Sequence, residues 1–273
     1  MVTCRTRDSD YEFEISVEPP LIYLDHWALR RLSEKPALGG RFLGAFAHRG
    51  TVMFSLMNVA EIARDASPHR AREVRAFLAR LGPHWVPMTI DPLRIIDADE
   101  TGTVADDMHP CVSVGFLTDP AFATRLATGP VSLAHVVDLT RPPDGDELIQ
   151  ATDRNTDVLR RGIQDRRDAY AARPSDLDNT YPRLPFDQTK PMRGIYYALA
   201  RFTITDTFAL DGNHARDLFH AIASVRCAQM VTLDAHWAAQ VRKLKLSPEF
   251  VRVYSEKDFD TFLADLETAP STR

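Results

Sequence analysis

Apolar positions along this chain follow two rhythms, and the switches between them lay out the elements. Uninterrupted apolar runs occur at 21–24 (Leu-Ile-Tyr-Leu), 51–54 (Thr-Val-Met-Phe) and 229–233 (Gln-Met-Val-Thr-Leu). A run with no polar alternation leaves no wet face, so each reads as a strand buried on both sides of a parallel sheet. Residues 84–90 predict another strand, placed at an edge because Pro87 has no N–H for a ladder. A last strand is expected at 250–254. Residues 11–17 alternate Tyr, Phe, Ile and Val with Glu, Glu and Ser, which predicts a half-wet strand added at a sheet edge. Pro19-Pro20 ends it.

Between the strands the period lengthens to that of a helix. Residues 55–64 and 68–81 each carry an apolar stripe, the second with Val74, Phe77, Leu78 and Leu81 inward and Arg70, Arg72, Arg75 and Arg80 outward. Leu218, Ala221, Ile222 and Val225 recur in the same way after a cap at Asp211 or Asn213. Strands alternating with helices predict an α/β protein, a three-layer α/β/α domain with a central parallel sheet. A large, mainly helical insertion at 98–208 interrupts it, so 1–273 reads as one domain carrying that insertion. Within it, helices are expected at 131–139, 144–173 and 192–202, and loops at 97–108 and 174–191. The long helix alternates Arg154, Arg160, Arg161, Arg166, Arg167 and Arg173 with Asp153, Asp157, Asp165 and Asp168. Such alternation fits a solvated, salt-bridged face; it also leaves Arg160, Arg166 and Arg167 as candidate phosphate contacts. Tyr196, Tyr197 and Phe202 are core residues or base-stacking platforms.

Composition mainly excludes. At 273 residues and 44% hydrophobic the chain can fill a sizeable core. A formal net charge of -5 argues against a globally basic nucleic-acid coat and leaves room for a local basic channel. Cys4, Cys111 and Cys227 are scattered, odd in number and lack CxxC spacing, so reduced thiols and a cytoplasmic protein are the expectation. No apolar run reaches membrane-spanning length. There is no Gly-rich phosphate loop and no GxSxG elbow, and His109 and Cys111 have no partners at zinc-ligand spacing.

What carries chemistry is a set of acids in recurring places. Asp25 follows the first buried strand, Asp234 follows the strand at 229–233, and Glu61 lies in the helix after 51–54. Asp217 sits in the first turns of the helix leading into 229–233. In open α/β sheets ligands bind outside the carboxyl ends of the strands. A plain N-cap is the other reading of Asp25. Carboxylates gathered in one crevice repel one another, and a hard divalent cation relieves that repulsion; oxygen ligands favour Mg2+ or Mn2+ over zinc.

Asp217, His220, Thr232, Asp234 and Trp237 stand where the C-terminal half of the PIN-domain nucleases shows an Asp-x-x-His helix, an apolar strand with Thr, then Asp and an aromatic residue. With Asp25 and Glu61 in family order, residues 20–97 and 210–254 resemble that family. Ser55 stands six residues before Glu61, one more than the family pattern. The resemblance implies a metal-dependent endoribonuclease that hydrolyses RNA phosphodiester bonds in single-stranded or looped regions. It would use a four-carboxylate site of Asp25, Glu61, Asp217 and Asp234 for Mg2+ or Mn2+, with Asn213, His220 and Thr232 orienting it. A toxin-like or defence role, an antitoxin-like inhibitor partner and a homodimer are further implications. The alternative is a catalytically inactive PIN-like module that binds RNA or protein.

Overall fold

The structure is a computed structural model and describes residues 1–269 except 8–9, 47–49, 66, 103–108, 127 and 185–190. Two strands open the chain, β1 (Val2–Arg7) and β2 (Asp10–Ile15), followed by β3 (Leu21–Tyr23), α1 (His26–Glu34) and α2 (Pro36–Phe46). Next come β4 (Thr51–Phe54), α3 (Leu56–Ala63), α4 (Pro68–Leu81), β5 (Trp85–Pro87) and α5 (Pro92–Thr101). The middle of the chain forms α6 (Pro120–Ala123), β6 (Gly129–Pro130), α7 (Leu133–Thr140), α8 (Asp146–Ala172), α9 (Asp176–Thr180) and α10 (Pro191–Thr205). The chain closes with α11 (Gly212–Cys227), β7 (Met230–Thr232), α12 (Ala235–Lys243), β8 (Arg252–Tyr254) and α13 (Phe259–Thr268).

The fold is α/β in three layers around a five-stranded parallel sheet of order β5-β4-β3-β7-β8. The three buried runs become its centre, where Tyr23 lies opposite Met53 on one side and Val231 on the other. Every residue of β3, β4 and β7 is buried, as unbroken apolar runs require. β5 is an edge, and Pro87 closes it opposite Phe54. In one helical layer α1 packs on α2 and α4, and α2 on α13. Gly39 lets α2 approach α1, since a Cβ there would meet Leu32 O at 2.4 Å. In the other layer α11 packs on α12, α8 and α10, and α3 on α7 and α8.

Three expectations need correction. The strand at 11–17 does not extend the parallel sheet. Residues 10–15 pair antiparallel with β1, which pairs on its other side with β6, giving a separate three-stranded sheet. β1 has the same period of two, with Val2 and Cys4 buried and Arg5 exposed, but its TCRTR sequence hides it. Secondly, the acidic loop expected from 97 is helical to Thr101, started by the Asp91 cap and Pro92 and stopped by Gly102 at φ 68; 103–108 lie outside the described residues. The third concerns Cys111 and Cys227, which form a disulfide across 116 residues of sequence, with Cα atoms 5.7 Å apart. Spacing in sequence could not signal that pairing, because only the fold brings the two together. Cys4 is free and buried. No helix among the described residues is long and apolar enough to cross a membrane.

The stretch between β5 and α11 is bound to the rest at several points. Beside the disulfide, Arg226 Nη2 meets Asp99 Oδ1 at 2.6 Å and its Nε donates to Asp99 Oδ2 at 3.0 Å. β6 joins the stretch to the N-terminal strand, Trp85 Nε1 donates to Val131 O at 2.8 Å, and Arg64 reaches Asp153 at 2.6 Å.

Candidate active site

All five strands of the main sheet are parallel, so their carboxyl ends share one side of the molecule. Asp25 and Asp234 leave adjacent strands there, and each caps the helix that follows. Asp25 Oδ1 accepts from His26 N–H at 2.8 Å, and Asp234 Oδ1 from Trp237 N–H at 2.8 Å. The N-cap and acid-site readings of Asp25 are therefore compatible, because capping occupies one carboxylate oxygen. Thr232 ties the two strand ends together: its Oγ1 accepts from Asp25 N–H at 2.9 Å and donates to Tyr23 O at 3.2 Å.

Glu61, on α3, is drawn to the same place by His26, whose Nδ1 stands 3.2 Å from Glu61 Oε1. Asp217 comes from the N-terminal half of α11, which runs back to β7. Burial first, then the charges of Asp234 and Glu61, push Asp25 up to about 7 against the pull of the His26 N–H. Burial together with the charges of Asp25, Asp234 and Glu61 pushes Asp217 up to about 8. Burial also pushes Glu61 up, but the hydrogen bond and charge of His26 and the charge of Arg216 outweigh it and hold Glu61 below its ordinary value. His26 is raised, chiefly by its hydrogen bond to Glu61. Asp25 and Asp217 thus each feel other acids of the set.

His220, one turn beyond Asp217, is buried, and burial takes its imidazole down to about 4, so it is neutral near pH 7. Its Nε2 lies 2.7 Å from Ser55 Oγ, and its ring packs at 5.9 Å from that of Tyr23. Ser55 caps α3 in a capping box with Asn58, and Asn58 Nδ2–H donates to the Tyr23 hydroxyl at 3.2 Å. The sequence pattern did not single out Tyr23, Asn58 or His26 as site residues, nor Ser55 as more than a spacing mark. Buried polar residues inside otherwise apolar runs, such as Tyr23 in Leu-Ile-Tyr-Leu, were the available signal.

Asn213 is exposed; its Oδ1 accepts from Arg216 Nη2, and the cap of α11 is Asp211, which accepts from His214 N–H at 2.9 Å. Arg216 is the cation whose charge reaches Glu61 and Asp217, so Asn213 bears on the crevice through it. On α8, Arg167 is committed to the fold: it donates to Thr203 O at 2.9 Å and Phe208 O at 2.7 Å, with its guanidinium 4.6 Å from the Phe208 ring centre. Arg167, a candidate phosphate contact, is thus engaged with two carbonyls and a ring of its own fold. Arg160 pairs with Asp157 at 3.8 Å. Arg166 lines a cavity of about 300 Å3 with Tyr181, Tyr196 and Phe219.

The four acids offer only oxygen atoms, and burial, then the neighbouring acids, push Asp25 and Asp217 above the ordinary carboxylate value. That chemistry fits a hard cation. As the side chains stand, no three His, Cys, Asp or Glu groups among the described residues converge on one ion position. No family model matches the chain, and neither a curated protein nor a solved structure matches it.

Proposed function

We propose that the chain is a metal-dependent endoribonuclease that hydrolyses RNA phosphodiester bonds. The observation that carries this reading is the delivery of Asp25 and Asp234 to adjacent strand ends, bridged by Thr232, with Glu61 and Asp217 in electrostatic reach. It agrees with the resemblance to PIN-domain nucleases. Asp25, Glu61, Asp217 and Asp234 would hold Mg2+ or Mn2+, with Asn213, His220 and Thr232 supporting them. When bound, such a cation activates water for in-line attack and neutralises charge on the leaving oxygen. The residues themselves act in simpler ways. Thr232 fixes the backbone of Asp25 through its hydroxyl. His220 and Ser55 are buried and hydrogen-bonded to each other behind Tyr23. Arg216 offsets part of the acids' repulsion and offers a cation to a phosphate. Arg160 and Arg166 on α8 are the remaining candidate substrate contacts. RNA is the proposed partner; an antitoxin-like inhibitor protein and a homodimer belong to the same reading.

One observation favours the inactive RNA- or protein-binding module instead. The ion pair of His26 with Glu61 already satisfies one of the four acids. The test is cleavage of single-stranded and hairpin RNAs with Mg2+, with Mn2+ and with chelator. Metal-dependent cleavage is expected; RNA binding without cleavage under every condition would transfer the protein to the module reading.

A further inference from the structure

Two adjoining cavities lie close to the acids, and the stretch between β5 and α11 supplies most of their walls. One holds about 410 Å3 and the other about 300 Å3, and Val158, Leu159, Tyr196 and Phe219 line both. Together they form one groove in the size range of ligand pockets. Met57, in the wall of the larger cavity, stands four residues before Glu61 on α3. Residues four apart share a helix face, with Cβ atoms about 5–6 Å apart. Phe219 follows Asp217 by two residues on α11. The groove therefore comes within about one helical turn of the acid set.

The lining is apolar and aromatic, and only Asp91 and Arg166 bring charge to it. Asp91 is taken up as the cap of α5, accepting from Leu93 N–H at 2.9 Å. Arg166 is exposed and has no ion-pair partner among the described residues. Asp153, Asp157, Asp165 and Asp168 do not line the groove, so α8 turns one cation and no acid toward it. Phe219 is half-buried and meets no other ring among the described residues. Gly162 lines the smaller cavity from the middle of α8, where glycine is unfavourable. A Cβ built there would meet nothing within 4 Å. Packing therefore does not require this glycine; what it preserves is open space over the groove.

We propose that this groove binds an unpaired nucleobase of single-stranded RNA beside the acid set. The base stacks on Phe219 next to Tyr196, and Arg166 meets a phosphate of the same strand. A planar ring carrying an anion matches an aromatic wall with one unpaired cation. An apolar helix from a partner protein would leave Arg166 without a counter-charge. The proposal rests on the ribonuclease reading above, and it gives the stretch between β5 and α11 a task.

The experiment is fluorescence anisotropy in chelator, where binding is read without cleavage. The probes are a labelled oligouridylate and an abasic ribose-phosphate chain of the same length. Wild type should prefer the chain that carries bases. Phe219→Ala should weaken oligouridylate binding by about 5–150-fold, the scale of one stacked base, and leave the abasic chain nearly unaffected. Gly162→Leu fills the groove with a residue that favours a helix, so it should fold as wild type by circular dichroism and lose oligouridylate affinity in the same way. Arg166→Gln should weaken both chains alike. Equal oligouridylate affinity in wild type and folded Gly162→Leu overturns the proposal and gives the groove to a partner protein. That result leaves the ribonuclease reading standing, since metal-dependent cleavage tests it separately. No binding of either chain by wild type overturns both.

Discussion

The acid crevice and helix α8 are both rich in ionisable side chains, yet they treat charge in opposite ways. On α8 the signs alternate and find partners: Arg160 pairs with Asp157 and Arg64 with Asp153, while Asp168 accepts a hydrogen bond from the neutral Gln164 at 2.8 Å. Asp146 and Glu147 sit in its first turn, where the helix dipole favours them. Most of these groups are exposed, so each pair contributes little to stability. Around the four acids negative charge predominates, although His26 pairs with Glu61 and the charge of Arg216 reaches Glu61 and Asp217. Asp25 and Asp217 are raised to about 7 and 8 by burial and by their neighbours. Such an arrangement costs folding free energy, and nothing in packing requires it. The comparison sets crowded acids at strand ends, the kind of perturbed carboxylates from which active sites are built, against dense but paired charge, which marks a solvated face.

The comparison breaks first at the acids. Asn at position 25 or 217 keeps the shape and removes a charge, so cleavage of RNA in Mg2+ or Mn2+ should fall about 10²–10³-fold, the usual scale for one electrostatic element of a site. Folding by circular dichroism should be kept. Full activity in a folded Asp25→Asn or Asp217→Asn protein would end the nuclease mechanism.

A second, smaller effect concerns pH in the absence of metal. Asp25 and Asp217 have folded values above the ordinary 3.8. Their stability contribution is complete below about pH 4 and is lost as pH rises through 7–8. His26, raised by Glu61, acts in the same sense. His220, lowered from 6.5 to about 4, works oppositely: its contribution is present above pH 6.5 and is lost as pH falls through 4. Between about pH 8.5 and 6.5 His220 does not oppose the acids, but the Met1 amino group, lowered by burial from 8.0 to about 6, does. The Tm of the wild type with chelator should therefore rise relative to that of the Asp25→Asn, Asp217→Asn double variant as pH falls across that interval, and saturating Mn2+ should remove most of this pH dependence. A Tm difference between the two proteins that stays constant with pH would show that the carboxylates are not crowded.

The smallest expected change is on α8. Reversing Arg160 and Arg166 to Glu should weaken RNA binding and flatten the plot of log affinity against log salt, by about 0.7 for each phosphate no longer neutralised. An unchanged slope would return these two arginines, like Arg167, to a structural role.

How much of this was legible in the sequence differs between regions for a physical reason. Buried parallel strands are signalled by composition alone, since a strand covered on both faces tolerates few polar groups, and 21–24, 51–54 and 229–233 took their places side by side. The acids Asp25 and Asp234 were legible because they follow such runs directly. Helices α4, α8 and α10 were visible in their periodicity. The N-terminal strand Val2–Arg7 was not, because four of its six residues are Thr or Arg. Local sequence likewise offered no sign of the His26–Glu61 pair, the Cys111–Cys227 disulfide or the link from His220 through Ser55 to Tyr23. Each joins residues on different elements, in two cases across more than a hundred positions of sequence. By itself the sequence determined the class of fold and the two acids at strand ends, since burial and local periodicity are written residue by residue. Only the tertiary structure decided which charges face one another, which thiols meet and which buried polar groups pair behind the acids, because hydrogen bonds and Coulomb forces depend on distances in space that a linear pattern does not contain.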